Sequence, residues 1–231
     1  MTPPRMIALA FAACFLLVSA HSQAFAAEAD AKKAAPAKDK SASSDTGSDA
    51  LAGKKVAMLL AERFNSAEGV VSKRYVEKHG GEVIVIGIEP GDVTAYDRDV
   101  SIEVQKKVED VEVKDFHALI IPGGYAPMEL RKHEPSVKFS KRFMESGKPV
   151  AAICHGPLVL ATAGKLEGKT LTCFGGVSDE ITDAGGEFVN KPVVVDGNLI
   201  TSRLPKDLDA FTQAIHEALV KEDAADSKHE Q

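Results

Sequence analysis

The chain has 231 residues, enough for one domain with a full hydrophobic core. Its 28 Lys and Arg against 34 Asp and Glu leave a net charge of −6, a surface that offers phosphate backbones nothing to hold, so nucleic acid is excluded as an expected partner. The two ends differ in composition from the middle, which shortens the part expected to fold.

Residues 1–26 read as an export signal. Arg5 gives a positive start, residues 6–20 are apolar, and Ala24-Phe25-Ala26 has the small-x-small pattern of a cleavage site. The apolar run is shorter than the roughly 18 residues of a spanning helix, so no stable membrane insertion is expected after cleavage. The expected location is therefore periplasmic or secreted. Cys14 is followed by Phe15-Leu16-Leu17-Val18, unlike the small polar residues expected after a lipidated cysteine. Residues 27–53, rich in Ala, Lys, Ser and Asp, have no apolar periodicity and read as a flexible tether. Residues 54–220 read as the domain, and residues 221–231 as a flexible tail.

Within the domain, "KKVAMLLA" (54–61) reads as a strand. A helix follows, with Ser66 placed to cap it and Val70, Val71, Tyr75 and Val76 at helical spacing, ending at Gly80-Gly81. "EVIVIGI" (82–88) is a second strand, and "PGDVTAYDRDVSIEV" a hairpin-bearing excursion. "FHALIIPGG" (116–124) is a third strand running into a glycine turn. Pro135 opens a helix with Val137, Phe139 and Phe143, closed by Gly147; "PVAAI" (149–153) is the next strand, leading into another helix. "KTLTCF" is read as a strand, "KPVVVDGNLITS" as a hairpin turning at Asp196-Gly197, and the last helix carries Leu208, Phe211, Ile215 and Leu219.

Several strands are apolar throughout and alternate with helices, the mark of a parallel sheet covered on both faces. The expected fold is a three-layer α/β/α sandwich of flavodoxin-like type with a mostly parallel sheet. Such sheets bind ligands beyond the carboxyl ends of their strands, which directs attention to residues 62–68, 122–127 and 154–157.

In the last of these, Ala152-Ile153-Cys154-His155-Gly156 is small-x-nucleophile-x-small, the pattern of a nucleophile elbow with Cys for Ser. A thiol there would sit over a helix N-terminus, which favours thiolate. The five residues alone leave a buried inert cysteine equally open. Gly123 and Gly124, after a strand, let backbone N–H groups approach a ligand and, with the His155 N–H, could form an oxyanion hole. Glu68, at the same sheet edge, could exchange a proton with Cys154 or be an ordinary helix-start acid. Cys154 and Cys173 both lie in runs that read as buried strand ends, which argues against a structural disulfide. The histidines outside the elbow lack ligand spacing, so neither a metal nor another cofactor is expected.

The Phe64-x-x-x-Glu68 loop, "FHALIIPGGYAP", "GKPVAAICHGPLVLATAG" and "VVVDGNLITSRLPKDL" together resemble the PfpI-type intracellular proteases and their Parkinson-linked deglycase and glyoxalase relatives, in the class I glutamine amidotransferase-like superfamily. The likeness spans residues 54–219. It implies Cys154 as nucleophile, Glu68 as the carboxyl against its sulfur, oxyanion-hole amides from Gly124 and His155, and a homo-oligomer. Three positions depart from the family pattern. Met128 stands where a neighbouring subunit of the proteases donates the acid that completes a Cys-His-acid triad, with Glu129 adjacent but about 100° round a helix. Phe174 stands where relatives carry a Tyr or His near the sulfur, and Asn65 where a second Glu is common.

Three functions compete. The first is a hydrolase or lyase acting on a small carbonyl electrophile such as methylglyoxal or its protein adducts, in stress protection. The second is the peptidase of the family name, with peptide substrates and an acid from a neighbour. The third is a non-enzymatic stress protein whose Cys154 senses oxidant. A glutamine amidotransferase would need a His-x-Glu on a late strand, which residues 200–207 lack.

Overall fold

The computed structural model describes residues 49–229, with side chains through residue 221. The signal expected over residues 1–26 and most of the tether lie outside the described residues. Residues 49–53, expected to belong to the tether, are part of the folded unit: Leu51 is fully buried, and its N–H donates to the His79 carbonyl at 2.9 Å.

In chain order the elements are β1 (Lys55–Leu59), α1 (Ser66–Lys78), β2 (Glu82–Gly87), β3 (Gly91–Thr94), β4 (Ser101–Val104), β5 (Lys106–Lys107), β6 (Ala118–Ile121), α2 (Ala126–Leu130), α3 (Glu134–Glu145), β7 (Val150–Ile153), α4 (Pro157–Thr162), β8 (Thr170–Leu171), α5 (Ser178–Asp183), β9 (Glu187–Phe188), β10 (Val193–Asp196), β11 (Leu199–Ser202) and α6 (Leu208–His229). Seven strands form the main sheet in the order β10-β11-β7-β6-β1-β2-β5. All its pairings are parallel except β10 on β11. Every residue of β6, β7 and β11 is buried, which is why β6 and β7 are apolar on both faces. α1 packs with α6, while α2, α3 and α4 pack together, giving the three layers. β2 lies on one side of β1, and β6 and β7 on the other, so the strand order reverses at β1. The loops after β1, β6 and β7 meet above that switch point.

Four local readings change. The N-cap of α1 is Asn65, whose side chain accepts the Glu68 N–H; Ser66 is the first helical residue. "KTLTCF" contributes only the two residues of β8, which pair with β9 in a separate sheet. Beyond them the Thr172 N–H goes to Thr201 Oγ1 at 3.0 Å and the Phe174 N–H to the Cys154 carbonyl at 3.0 Å, so Cys173 is buried in a loop draped over the sheet end. The helices α2 and α5 are too short to show helical periodicity in sequence. α6 runs past Val220 to His229, into the segment read as a tail. No helix among the described residues is long and apolar enough to cross a membrane.

Candidate active site

The strand β7 ends at Ile153, and the chain turns into α4 within three residues. Cys154 makes that turn at φ 61°; among the described residues only Arg63, at φ 63°, is another non-glycine with positive φ. Such a backbone costs about 1–3 kcal/mol and persists only when its surroundings hold it. Here the Cys154 N–H donates to the Ser202 carbonyl at 3.0 Å and the Gly156 N–H to the Ile153 carbonyl at 2.8 Å. A side chain at Gly156 would put its Cβ 2.4 Å from the Ile121 carbonyl oxygen, so only glycine lets the turn lie against β6. The small residue two beyond the nucleophile is thereby explained.

Glu68 reaches the same place from α1. It is fully buried, and its Oε2 accepts the Gly123 N–H at 2.7 Å. A Cβ on Gly123 would stand 2.6 Å from both Cys154 Cβ and Glu68 Oε2, so carboxyl and thiol are neighbours across that glycine. Glu68 Oε1 is buried and has no hydrogen-bond partner; it is the oxygen left to share a proton with sulfur. Gly124 turns at φ 78°, and a Cβ there would meet the Asn65 nitrogen at 2.4 Å. Its close packing on the loop after β1 brings the two loops together, with the Asn65 N–H donating to the Gly123 carbonyl at 3.2 Å.

The N–H groups of Gly124 and His155 reach the Cys154 sulfur and draw its pKa down, whereas the Gly123 N–H is already taken by Glu68. The glycine pair expected to line an oxyanion hole therefore divides its work: Gly124 offers the amide, and Gly123 spaces carboxyl from thiol and holds the carboxyl in place.

Burial pushes the Glu68 carboxyl up to about 7; the Gly123 bond and the Cys154 side chain pull it back, and the Asp97 charge adds a small push upward. The Cys154 thiol is pushed up to about 12, first by burial and next by the Glu68 charge, against the Gly124 and His155 amides. This reverses the expectation of a thiol lowered by a helix N-terminus. The sulfur's residue is only 8 % exposed, and α4 has six residues, so desolvation and a facing carboxylate outweigh two N–H groups. The high value belongs to sulfur opposite a charged Glu68. With a proton on Glu68 that repulsion vanishes and the carboxyl can donate, so ionisation of either group opposes ionisation of the other.

His155 Nδ1 lies 3.3 Å from Cys154 Sγ, and its ring stacks on exposed Phe174, centroids 5.1 Å apart. Burial holds its pKa below the ordinary 6.5, so the imidazole is neutral near pH 7. Met128 is half-buried against the core. Glu129 is exposed and its Oε1 accepts from Lys132 Nζ at 3.1 Å. Cys173 is a free, buried thiol, also raised to about 12 by burial. Among the described residues no three His, Cys, Asp or Glu side chains gather as a metal ion would require.

The sequence did not point to Asp97, Arg63 or Tyr125. Asp97, in the β3–β4 turn, accepts from the Ser66 N–H at 2.9 Å and the Ser66 hydroxyl at 3.0 Å. Arg63 lays its guanidinium 4.2 Å over the Tyr125 ring, which meets Tyr96 edge-on at 5.0 Å. An Asp-rich turn is legible locally, but nothing local names the helix it will touch.

The sequence profile described as the DJ-1/PfpI family matches residues 54–218. A Bacillus subtilis protein named "Putative cysteine protease YraA" is 37 % identical over 160 residues, covering 69 % of this chain and 95 % of that protein. "Deglycase PH1704" from Pyrococcus horikoshii is 38 % identical over 157 residues, covering 68 % of this chain and 94 % of its own. Among solved structures, a two-domain protein of Anabaena variabilis with dj-1/thij/pfpi-like and ferritin-like domains superposes with a TM-score of 0.71 at 37 % identity, over 72 % of this chain and 48 % of that one.

Proposed function

Because the chain belongs to the DJ-1/PfpI family, we propose that it is a cysteine-nucleophile enzyme acting on small carbonyl electrophiles, a glyoxalase- or deglycase-type hydrolase or lyase in stress protection. The observation that carries this reading is the buried Glu68 carboxyl, held by the Gly123 N–H at 2.7 Å, its other oxygen without a hydrogen-bond partner and Cys154 its neighbour across Gly123. Relatives named deglycase support it.

The chemistry begins with transfer of the thiol proton to Glu68. The sulfur lone pair forms a C–S bond to the aldehyde carbon, and the C=O π pair moves onto oxygen. The Gly124 and His155 N–H groups that face the sulfur stabilise that oxyanion. Glu68 then returns its proton to the oxygen, giving a neutral hemithioacetal with all atoms conserved. With a free aldehyde no amine departs, which suits a neutral His155 without a carboxylate partner among the described residues. The test is consumption of methylglyoxal by the mature protein beside Cys154→Ala; equal rates would end this reading.

A peptidase is the second reading, favoured by the 3.3 Å approach of His155 Nδ1 to sulfur and by the name of the Bacillus relative. It requires small-peptide cleavage that depends on both Cys154 and His155 and on a neighbouring subunit's acid. Sharply higher cleavage in Met128→Glu than in the native protein would mean that the native site has given up the role. Export from the cytoplasm and a homo-oligomeric state are part of the proposal, resting on the leader-like residues 1–26 and the family likeness. N-terminal sequencing of the protein recovered from the periplasm or medium, and its sedimentation, test them.

A further inference from the structure

The β3–β4 hairpin lies outside the main sheet, yet its turn reaches the start of α1, the helix that carries Glu68. Asp97 Oδ1 accepts the Ser66 N–H at 2.9 Å and Oδ2 the Ser66 hydroxyl at 3.0 Å, and Asn65 Nδ2 approaches Oδ2 at 3.5 Å. Asn65 in turn caps Glu68 itself, its Oδ1 accepting the Glu68 N–H at 3.1 Å. One carboxylate from an exposed turn thus holds the two residues that set the first turn of α1, and a helix start is where a negative charge is well placed. The hairpin is tied down on its other side as well, the Tyr96 N–H donating to the Phe64 carbonyl at 3.1 Å and the Arg63 N–H to Thr94 at 2.8 Å.

We propose that Asp97 is a positioning residue for Glu68: it fixes the first turn of α1 so that the Glu68 carboxyl stands against Cys154, and its charge adds to the burial that favours a proton on Glu68. The groups acting on Glu68 are the Gly123 N–H after β6, the Cys154 side chain after β7 and the Asp97 charge from the hairpin; the last opposes ionisation of Glu68. A proton kept on Glu68 lets the shared negative charge sit on sulfur. The inference rests on the reading of Cys154 and Glu68 as a reacting pair, but not on any substrate.

The experiment is the rate of Cys154 alkylation by iodoacetamide from pH 5 to 9 in the full chain, with the label located by mass, for native protein and for Asp97→Asn, Asp97→Ser, Asp97→Glu and Ser66→Ala. In Asp97→Asn and Asp97→Ser the loss of charge lets Glu68 ionise sooner, so the alkylation plateau above pH 7 falls about threefold and the midpoint of its rising limb moves to lower pH by about half a unit. Asp97→Glu keeps the native limb. Ser66→Ala, which loses one hydrogen bond and no charge, lowers Tm without moving the limb. A purely structural Asp97 would change Tm in the neutral variants and leave their pH profile native, which overturns the proposal, as does a limb shifted in Asp97→Glu. Absence of methylglyoxal turnover in the native protein would defeat the carbonyl reading while leaving these alkylation profiles to stand or fall separately.

Discussion

Glu68 Oε2 and the Gly123 N–H meet at 2.7 Å, and this bond places a protonatable carboxyl beside the Cys154 sulfur. Glu68→Gln keeps an oxygen for Gly123 and replaces the other with an amide donor. Without the charge that raises the thiol, Cys154 alkylation at pH 7 should quicken by about tenfold or more. Methylglyoxal turnover should fall by about a hundredfold, because no group remains to carry the proton. Alkylation and turnover falling together would contradict the division of roles.

The same carboxyl makes stability depend on pH. Burial raises Glu68 from the ordinary 4.5 to about 7, so between those values the folded chain binds more protons than the unfolded one. Its contribution is complete below 4.5 and lost as pH rises through 7, roughly 3 kcal/mol in all. Glu68→Gln, which does not titrate, should therefore gain in Tm on the native protein as pH goes from 4.5 to 8. A constant Tm difference would show that Glu68 is not buried with its proton.

A methyl group at Gly123 has nowhere to go: its carbon would lie 2.6 Å from Cys154 Cβ and from Glu68 Oε2, and 2.9 Å from the His155 nitrogen. Gly123→Ala should lose about 1–3 kcal/mol of stability and nearly all turnover, read by thermal unfolding and by assay. Full activity would mean that carboxyl and thiol need not be adjacent.

At the far end of α1, the rings of His79 and His216 stand 5.0 Å apart, edge to face, and His216 Nδ1 is buried without a partner. Burial and, next, the neighbouring His79 hold the His216 pKa below 6.5. For a histidine so lowered, stability is present above 6.5 and is lost as pH falls toward the folded value, the opposite slope to Glu68. His216→Gln should therefore lose less Tm than native protein between pH 7 and 5. Parallel curves for the two proteins would refute it.

Leu51 precedes the first strand yet is fully buried. Leu51→Ala should cost about 2–4 kcal/mol, measured by denaturant unfolding. A change of a few tenths would place the residue back in the tether.

The parallel core was legible because its central strands are buried on both faces and β6 and β7 are apolar throughout. The elbow was legible because small residues must flank so tight a turn. Asp97 and Leu51 were not, since each owes its role to a partner far along the chain: Ser66 lies 31 residues from Asp97, and Leu51 packs against the end of α1. The protonation of the thiol was misread for a related reason. Helix-end electrostatics can be inferred from neighbours in sequence, but desolvation depends on everything folded around the atom.

Local sequence thus determined the central strands and the longer helices, where the chain must turn on glycine, and which cysteine stands at the strand-to-helix bend. These follow from side-chain size, branching and polarity taken a few residues at a time. Only the tertiary structure decided that Glu68 lies beside that cysteine across Gly123, and that a hairpin carboxylate holds the helix start that carries it. Such relations depend on distances and burial between segments, and those come into being when the sheet brings the segments together.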